Sequence, residues 1–144
     1  MLSQQDIIVR LLLSVVLGGL VGLEREIHRR EAGLRTHILV CLGSALIMLT
    51  SAHIFGIYMK TGNNIDPLRI AAGVVTGIGF IGAGAIIRNK EAVKGLTTAA
   101  SIWVVSGIGL AVGCGFLYAS YVTTFLALVV LFVLRRIEGV ISKV

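Results

Sequence analysis

Charged residues are scarce in this sequence. Asp, Glu, Lys and Arg make up 14% of the 144 residues, whereas a soluble domain carries roughly 25%. Hydrophobic residues make up 56% of the chain, and the mean hydropathy is +0.96. So few charges cannot cover a water-facing surface, and this excludes an ordinary soluble domain. Disorder is excluded as well, because disordered chains need the polarity and charge that are missing here.

Acidic side chains and cysteines are also few. None of the seven Asp and Glu residues lies well inside an apolar run, where a pump for divalent cations is expected to place carboxylates. Cys41 and Cys114 lie in apolar stretches without metal-ligand spacing, which favours buried small side chains over a redox pair. No Ser-His-Asp or Cys-His pattern is present. We therefore expect no catalytic residues, no cofactor and no bound metal.

The formal net charge is +6, and the basic residues cluster at the ends of the apolar runs. This pattern is typical of residues that set membrane topology and contact lipid headgroups. No basic face is interleaved with aromatic residues, as nucleic-acid binding requires. The charge therefore indicates a lipid bilayer as the partner and no nucleic acid.

Five apolar runs approach the roughly 20 residues that a helix needs to span the hydrocarbon core. They cover about residues 7–23, 36–58, 70–87, 96–112 and 116–134. The turn between the last two is placed at Gly113-Cys114-Gly115, because glycine serves turns. Arg10 lies near the end of the first run, where its side chain can snorkel. The sequence predicts one all-α domain over residues 1–144, a polytopic bundle of about five transmembrane helices.

Lys and Arg are concentrated on one side of these spans. One side carries ten basic residues, and the other carries three beside two aspartates. By the positive-inside rule, we expect the N-terminus outside and the C-terminus in the cytoplasm. The basic residues assigned to the cytoplasmic side are Arg25, Arg29, Arg30, Arg35, Arg88, Lys90, Lys94, Arg135, Arg136 and Lys143.

A displacement of 62 positions superimposes several residues, such as Gly33-Leu34 on Gly95-Leu96 and Thr36 on Thr98. Each copy would contain a helix entering the cytoplasm, a basic loop and a helix leaving it. The two copies would be parallel repeats about an axis along the membrane normal. Either duplication or chance matching in a glycine-rich chain explains the agreement.

Glycines recur at helix-packing spacing. Gly77-Ile78-Gly79-Phe80-Ile81-Gly82 fits a dinucleotide-binding fingerprint, but that site needs a soluble βαβ unit and an acidic residue about 20 positions later. Close packing of helices, within the chain or in a homo-oligomer, is the better explanation, because glycine lets backbones touch. The packing residues predicted on this basis are Gly18, Gly22, Gly73, Gly77, Gly79, Gly82 and Gly84.

The cytoplasmic starts of the second and fourth spans carry the chemistry that a binding site would need. A helix N-terminus presents free N–H groups, threonine can cap it, and an adjacent cation completes an anion site. We expect the two starts to face each other and bind an anion; simple capping and membrane anchoring are the alternative. The candidate ligand-binding residues are Glu24, Arg25, Arg35, Thr36, Arg88, Lys94, Thr97 and Thr98.

Two features beside these starts have more than one interpretation. Glu24 either pairs with Arg35 or Arg88 across the loop or forms a cation site. His37 and His53 lie near the ends of the second span, too far apart to share a metal, and we expect both at the membrane interface.

Four segments carry a resemblance to a known family. They are Gly22-Leu23-Glu24-Arg25-Glu26, Gly33-Leu34-Arg35-Thr36-His37, the glycine-rich run from Gly77 to Ile87, and Lys94-Gly95-Leu96-Thr97-Thr98-Ala99-Ala100-Ser101-Ile102-Trp103. In order and spacing the sequence resembles the MgtC/SapB family of bacterial inner-membrane proteins. It departs from the longer members in ending soon after the fifth span, without their soluble C-terminal domain, and in having Thr97 where some carry asparagine.

The resemblance implies five spans with the N-terminus outside. The virulence-associated members of the family support growth in low magnesium and are linked to restraint of the F-type ATP synthase; of these roles, the resemblance implies for this chain one in magnesium limitation or stress adaptation. Our first hypothesis is a non-enzymatic membrane protein that acts in magnesium limitation or stress through a membrane-protein partner or a cytoplasmic ligand. A transporter or channel for an inorganic ion such as magnesium is the alternative, and an enzyme acting on lipid is a distant third.

Overall fold

A computed structural model describes residues 2–59, 66, 68–88 and 93–141. Its helices are α1 (Gln4–Ile27), α2 (Leu34–Tyr58), α3 (Leu68–Ala85), α4 (Leu96–Cys114) and α5 (Leu117–Ile141). By length and apolar composition, α1, α2, α4 and α5 can each cross a membrane, and α3 is a shorter apolar helix. The all-α membrane bundle is therefore confirmed. The positions Lys60, Lys90 and Lys143, which entered the charge argument, lie outside the described residues.

Helices α1 and α5 extend furthest beyond the apolar runs that predicted them. A capping box starts α1: Asp6 N donates to Ser3 Oγ at 3.1 Å, and Ser3 N donates to Asp6 Oδ2 at 3.2 Å. The other end of α1 runs on to Ile27, and α5 continues to Ile141 instead of ending near residue 134. Hydropathy marks only the part of a helix that lies in hydrocarbon, whereas backbone hydrogen bonding continues through the polar flanks.

The turn between α4 and α5 is where the glycines predicted it. Gly115 has φ of 89°, and Phe116 N donates to Ala111 O at 2.8 Å, which ends α4 in a left-handed cap. Arg10 Nη1 donates to Gly113 O at 2.8 Å. Arg10 therefore satisfies a carbonyl at this turn from α1, in addition to lying near the end of its span.

A short hairpin replaces the loop expected between the third and fourth spans. Strands β1 (Ile87–Arg88) and β2 (Val93–Lys94) pair antiparallel, with Ile87 opposite Lys94. The third span therefore ends at Ala85 and not at residue 87. Gly95 follows β2 with φ of 86°, and a Cβ there would collide with Ala85 O. Only glycine fits where the hairpin returns so close to the end of α3.

The packing contacts set the direction of the helices. Gly18 of α1 packs on Cys41 of α2, and Gly22 packs on Leu34, so α1 and α2 are antiparallel. Gly109 and Gly113 of α4 pack successively along α2, so α2 and α4 are parallel and begin at the same end of the bundle.

Helix α4 is the centre of the bundle, since it contacts each of the other four helices. Half of the residues in the most apolar stretch of α4 are buried, against 11% in that of α5. The main core lies between α1, α2 and α4 and consists of Leu17, Val21, Cys41, Val105, Ile108 and Val112.

The glycines predicted to pack fall into two groups. A Cβ on Gly18 would lie 2.6 Å from Cys41 Cβ, and one on Gly22 would lie 2.9 Å from His37 Cβ, so both sit at close helix contacts. Gly82 makes an ordinary contact with Ala99. In contrast, Gly73, Gly77, Gly79 and Gly84 are exposed, and among the described residues nothing lies within 4 Å of a Cβ built on them. Within one chain, the expectation of close packing is therefore wrong for these four positions of α3.

The segments superimposed by the 62-residue displacement agree in where α2 and α4 start but differ in how their glycines pack. Both α2 and α4 begin directly after the superimposed glycines, Gly33 and Gly95. The dihedral angles at these two glycines differ, with φ of −106° and 86° respectively. Gly22 makes a close contact, whereas the superimposed Gly84 makes none among the described residues. Duplication stays a prediction.

Candidate functional site

Polar side chains gather at the end of the bundle where α2 and α4 begin. We call this group the polar cluster; it consists of Glu24, Arg25, Glu26, Glu31, His37, Thr98 and Ser101. The cluster is assembled from the end of α1, the α1–α2 loop and the first turns of α2 and α4. Because α2 and α4 are parallel, both helix starts contribute to it, as expected from the sequence.

A carboxylate of the chain itself occupies the start of α2. Leu34 N donates to Glu26 Oε2 at 3.0 Å, and a Cβ on Gly33 would collide with the same oxygen. Glycine at the N-cap therefore makes room for the carboxylate, which satisfies a free N–H and complements the helix dipole. The N-cap is glycine and makes no side-chain cap bond, so the expectation that Thr36 caps the helix is wrong.

The start of α4 carries a second internal carboxylate. Thr98 Oγ1 donates to Glu31 Oε2 at 2.9 Å, so Thr98 binds the α1–α2 loop and does not cap its own helix. Thr98 is only 2% exposed, whereas Glu31 is exposed. The Glu31 backbone N–H and the Thr98 hydroxyl lower the pKa of the Glu31 carboxyl from its ordinary value. The hydrogen bond thus holds the loop against α4 through an ionised carboxylate.

His37 joins the two helix starts inside the bundle. It is fully buried, with Nδ1 at 2.9 Å from Gly33 O and Nε2 at 3.0 Å from Ser101 Oγ. Because a carbonyl only accepts, Nδ1 carries a proton. The Ser101 hydroxyl also lies 2.8 Å from Thr98 O, so its single proton has two acceptors within reach. His37 lies in the first turn of α2, on the face that packs on α4, so its polar contacts are inside the bundle. Its position at the membrane interface stays a prediction.

Glu24 and Arg25 form a buried ion pair. Arg25 Nε lies 3.0 Å from Glu24 Oε2, and His28 Nδ1 lies 2.8 Å from Glu24 Oε1. These contacts lack hydrogen-bond geometry: within the described part of the chain, both Glu24 oxygens and Arg25 Nε and Nη1 are buried without a hydrogen-bond partner. Glu24 therefore pairs with its own helix and not with Arg35, contrary to expectation. The side chain of Arg88 lies outside the described part of the structure.

The remaining candidate residues lie in separate places. Arg35 and Thr36 line an open cavity of about 420 Å³ with Glu26, Gly33 and Leu34. Thr97 lines a different, apolar cavity of about 130 Å³ between α1, α4 and α5. Lys94 is exposed on β2. The structure thus brings Glu24, Arg25 and Thr98 into one cluster and spreads the other predicted residues around it.

The described residues contain no group of three or more His, Cys, Asp or Glu side chains that could hold a metal ion. The cysteines do not add one, since Cys41 is buried and Cys114 is exposed, and both are free. The expectation that both cysteines are buried is wrong for Cys114. Its sulfur donates to Ala111 O at the exposed end of α4.

Comparison with known proteins identifies the family. A model of the MgtC family matches residues 11–140. The chain belongs to the MgtC family. The match covers the whole polar cluster, α2, α3 and α4, and most of α1 and α5, and the family is one of bacterial inner-membrane proteins. The chain is accordingly a multi-pass protein of the bacterial inner membrane.

Individual relatives agree with this assignment. The chain is 42% identical over 133 residues to the "Putative magnesium transporter YhiD" of Escherichia coli K12, which covers 92% of the chain and 62% of that protein. It is 39% identical to "Protein SapB" of Bacillus subtilis, over 92% of the chain and 56% of that protein. It is 45% identical to "Protein MgtC" of Salmonella typhimurium LT2, over 75% of the chain and 43% of that protein. The chain therefore spans between two fifths and two thirds of these relatives. No solved structure matches the chain.

Sequence reasoning placed Glu31 and Ser101 in no site and missed that Arg25 is buried. Helical spacing could have predicted that Arg25 is buried. It lies four and eight positions after Val21 and Leu17, two core residues of α1, and therefore on the same helix face. No comparable signal marks Glu31, because its contact with Thr98 depends on the path of the loop.

Proposed function

We propose that this chain acts in magnesium limitation as a non-enzymatic membrane protein, through a membrane-protein partner or a ligand at the polar cluster. The relatives support the magnesium context: one is named for magnesium transport and another is MgtC itself. A link to magnesium is compatible with regulation as well as with transport, so these names alone do not indicate that this chain carries the ion.

The position of the carboxylates is the observation that favours a regulator over a pump. The acidic residues of the described helices lie at helix ends: Asp6 at the start of α1, Glu24 and Glu26 at its other end, and Glu138 in the last turn of α5. Many buried hydroxyls inside the spans, such as those of Ser14, Ser106 and Thr124, donate to carbonyls of their own helix. A dehydrated divalent cation needs several oxygen ligands, and these groups do not provide them.

A magnesium transporter is the second candidate, favoured by one observation. Both carboxylate oxygens of Glu24 are buried without a hydrogen-bond partner, and a cation could complete their coordination. Its position at the end of α1 makes it an entry site and not a midplane site.

Magnesium flux into liposomes separates these candidates. The full-length chain is reconstituted with a magnesium-sensitive dye inside the vesicles, beside Glu24→Gln and, as a matched control, Glu26→Gln. We expect wild-type flux no higher than that of empty liposomes. Flux that Glu24→Gln removes and Glu26→Gln retains would establish transport and overturn the proposal.

Growth in low magnesium tests the regulatory role itself. In a bacterium lacking its own MgtC-type protein, we expect this chain to restore growth at limiting magnesium without changing the rate of magnesium uptake. Restored growth accompanied by faster uptake would contradict the proposal.

We further propose that the exposed glycines of α3 contact a second copy of the chain. Gly73 and Gly77 line an apolar groove of about 490 Å³ against α2, together with Gly43. Exposed small residues allow helices of two copies to approach closely. In a Cys114→Ser background, Gly77→Cys should form a disulfide-linked dimer in membranes, whereas Gly107→Cys, at an open position of α4, should not. Equal crosslinking at both positions would refute this interface.

A further inference from the structure

The guanidinium group of Arg25 is buried without enough hydrogen-bond acceptors among the described residues. The residue is 2% exposed, and no described residue forms a hydrogen bond with its Nε or Nη1 atom. Burial of a guanidinium is strongly unfavourable unless its donors are satisfied. The nearest acceptor, Glu24 Oε2, lies 3.0 Å from Nε but without hydrogen-bond geometry, and it leaves Nη1 without a partner. Among the described residues, the donor set of Arg25 is therefore incomplete.

The charges that the described side chains place around Arg25 leave an excess of positive charge. Arg30 from the α1–α2 loop and Arg135 from α5 act on Arg25 electrostatically, as do Glu24 and Glu31. These are three guanidinium groups against two carboxylates. Glu31 is already bonded to Thr98, and Glu24 lies against His28 as well as Arg25. An additional anion with several oxygen atoms would satisfy both the free donor and the charge.

An apolar cavity of about 130 Å³ lies next to this cationic group, between α1, α4 and α5. Val21, one helical turn before Arg25, lines it, as do Val104 and Leu131. Arg25 lies one helical turn beyond this apolar lining, and a guanidinium close to apolar side chains suits a phosphate group with an attached acyl chain.

We propose that Arg25, assisted by Arg30 and Arg135, binds a phosphate group at the polar cluster. Guanidinium groups bind phosphate oxygens through paired N–H donors. The proposal names the ligand class for the function proposed above and rests on that function. The phosphate comes either from an anionic phospholipid or from a soluble phosphate; the adjacent cavity favours the phospholipid.

Thermal unfolding with added ligands tests the binding and its source. The full-length chain is purified in an uncharged detergent and titrated with phosphatidylglycerol, with diacylglycerol of the same acyl chains, and with inorganic phosphate. A ligand that binds only the folded state raises Tm in proportion to its affinity. We expect phosphatidylglycerol to raise Tm and diacylglycerol to leave it unchanged. An equal rise with inorganic phosphate would assign the site to a soluble phosphate, and no rise with either would overturn the proposal.

Substitution of single arginines tests where phosphatidylglycerol binds. Arg25→Gln should weaken phosphatidylglycerol binding by roughly tenfold to a hundredfold, the range for losing a charged hydrogen bond. Arg135→Gln should weaken it several-fold, and the adjacent Arg136→Gln is the matched control. Arg136 is exposed, and its guanidinium lies over the Phe132 ring. If Arg25→Gln fails to fold, Arg135→Gln and Arg30→Gln carry the test.

Equal affinities in wild type, Arg135→Gln and Arg30→Gln would overturn the assignment. The outcome for the proposed function is separate. If a variant loses phosphate binding but still supports growth in low magnesium, only the ligand proposal is refuted. If a variant binds phosphate normally but does not support growth, the proposed function is refuted.

Discussion

Adding a single methyl group at Gly109 should separate α2 from α4. A Cβ at this position would collide with the carbonyl oxygen of Cys41 and would lie 2.8 Å from Ser44 Cβ. The carbonyl is part of the α2 backbone and cannot rotate away, so the helices themselves must move. Gly107, two residues earlier on α4, has nothing within 4 Å among the described residues. Gly107→Ala is therefore the matched control for Gly109→Ala.

The two substitutions share every effect except the collision. Each gains the same helix propensity, roughly 0.5–1 kcal/mol relative to glycine. Overpacking at Gly109 costs about 1–3 kcal/mol. Gly109→Ala should therefore be about 1–3 kcal/mol less stable than Gly107→Ala, which is a roughly 5- to 150-fold difference in the folding equilibrium.

Unfolding in detergent micelles measures this difference. The protein is titrated with sodium dodecyl sulfate, and unfolding is followed by helical circular dichroism and by the fluorescence of Trp103, the single tryptophan, on α4. Gly113→Ala should behave like Gly109→Ala, because its Cβ would lie 2.6 Å from Ala45 O. If Gly109→Ala proves as stable as Gly107→Ala, α2 and α4 are not in backbone contact and the derived packing is refuted.

Two further predictions concern the polar cluster. Ser101→Ala should cost about 1–3 kcal/mol, because His37 Nε2 loses its only side-chain partner in the described structure; Ser106→Ala, which removes only a bond to its own helix, should cost less in the same titration. Because the pKa of the Glu31 carboxyl is lowered on folding, its contribution to stability is present above its unfolded pKa, about 4.3, and is lost as the pH falls through the lower folded pKa. Tm measured from pH 6 to pH 3 should therefore fall less steeply in Thr98→Val than in wild type, and identical slopes would refute the linkage.

Much of the fold follows from local signals in the sequence. Gly33 and Gly95 mark the starts of α2 and α4, and Gly115 marks the turn before α5, because each of these positions is set by the chain next to it. The β1–β2 hairpin was not predicted, since strands of two residues are too short to show a hydrophobic period.

The contacts between helices were harder to predict. Gly22 and Gly77 carry the same spacing signal, yet one meets α2 closely and the other faces outward. Spacing identifies a surface that allows close approach, and the tertiary arrangement decides what approaches it. The helix starts were predicted as an anion site for the same local reason. Glu26 and Glu31 take part of that role, because the α1–α2 loop delivers them there.

The bond from Arg10 to Gly113 constrains the order in which the protein assembles in the membrane. The two residues are 103 positions apart. At a synthesis rate of about 5–20 residues per second, the carbonyl emerges roughly 5–20 s after the arginine. During that interval α1 can pair with α2, its neighbour in the chain, while the guanidinium remains solvated by water or lipid headgroups. The α4–α5 turn then supplies the carbonyl that Arg10 binds. The bond can therefore form only after α4, the central helix, has been synthesised and has packed in the bundle.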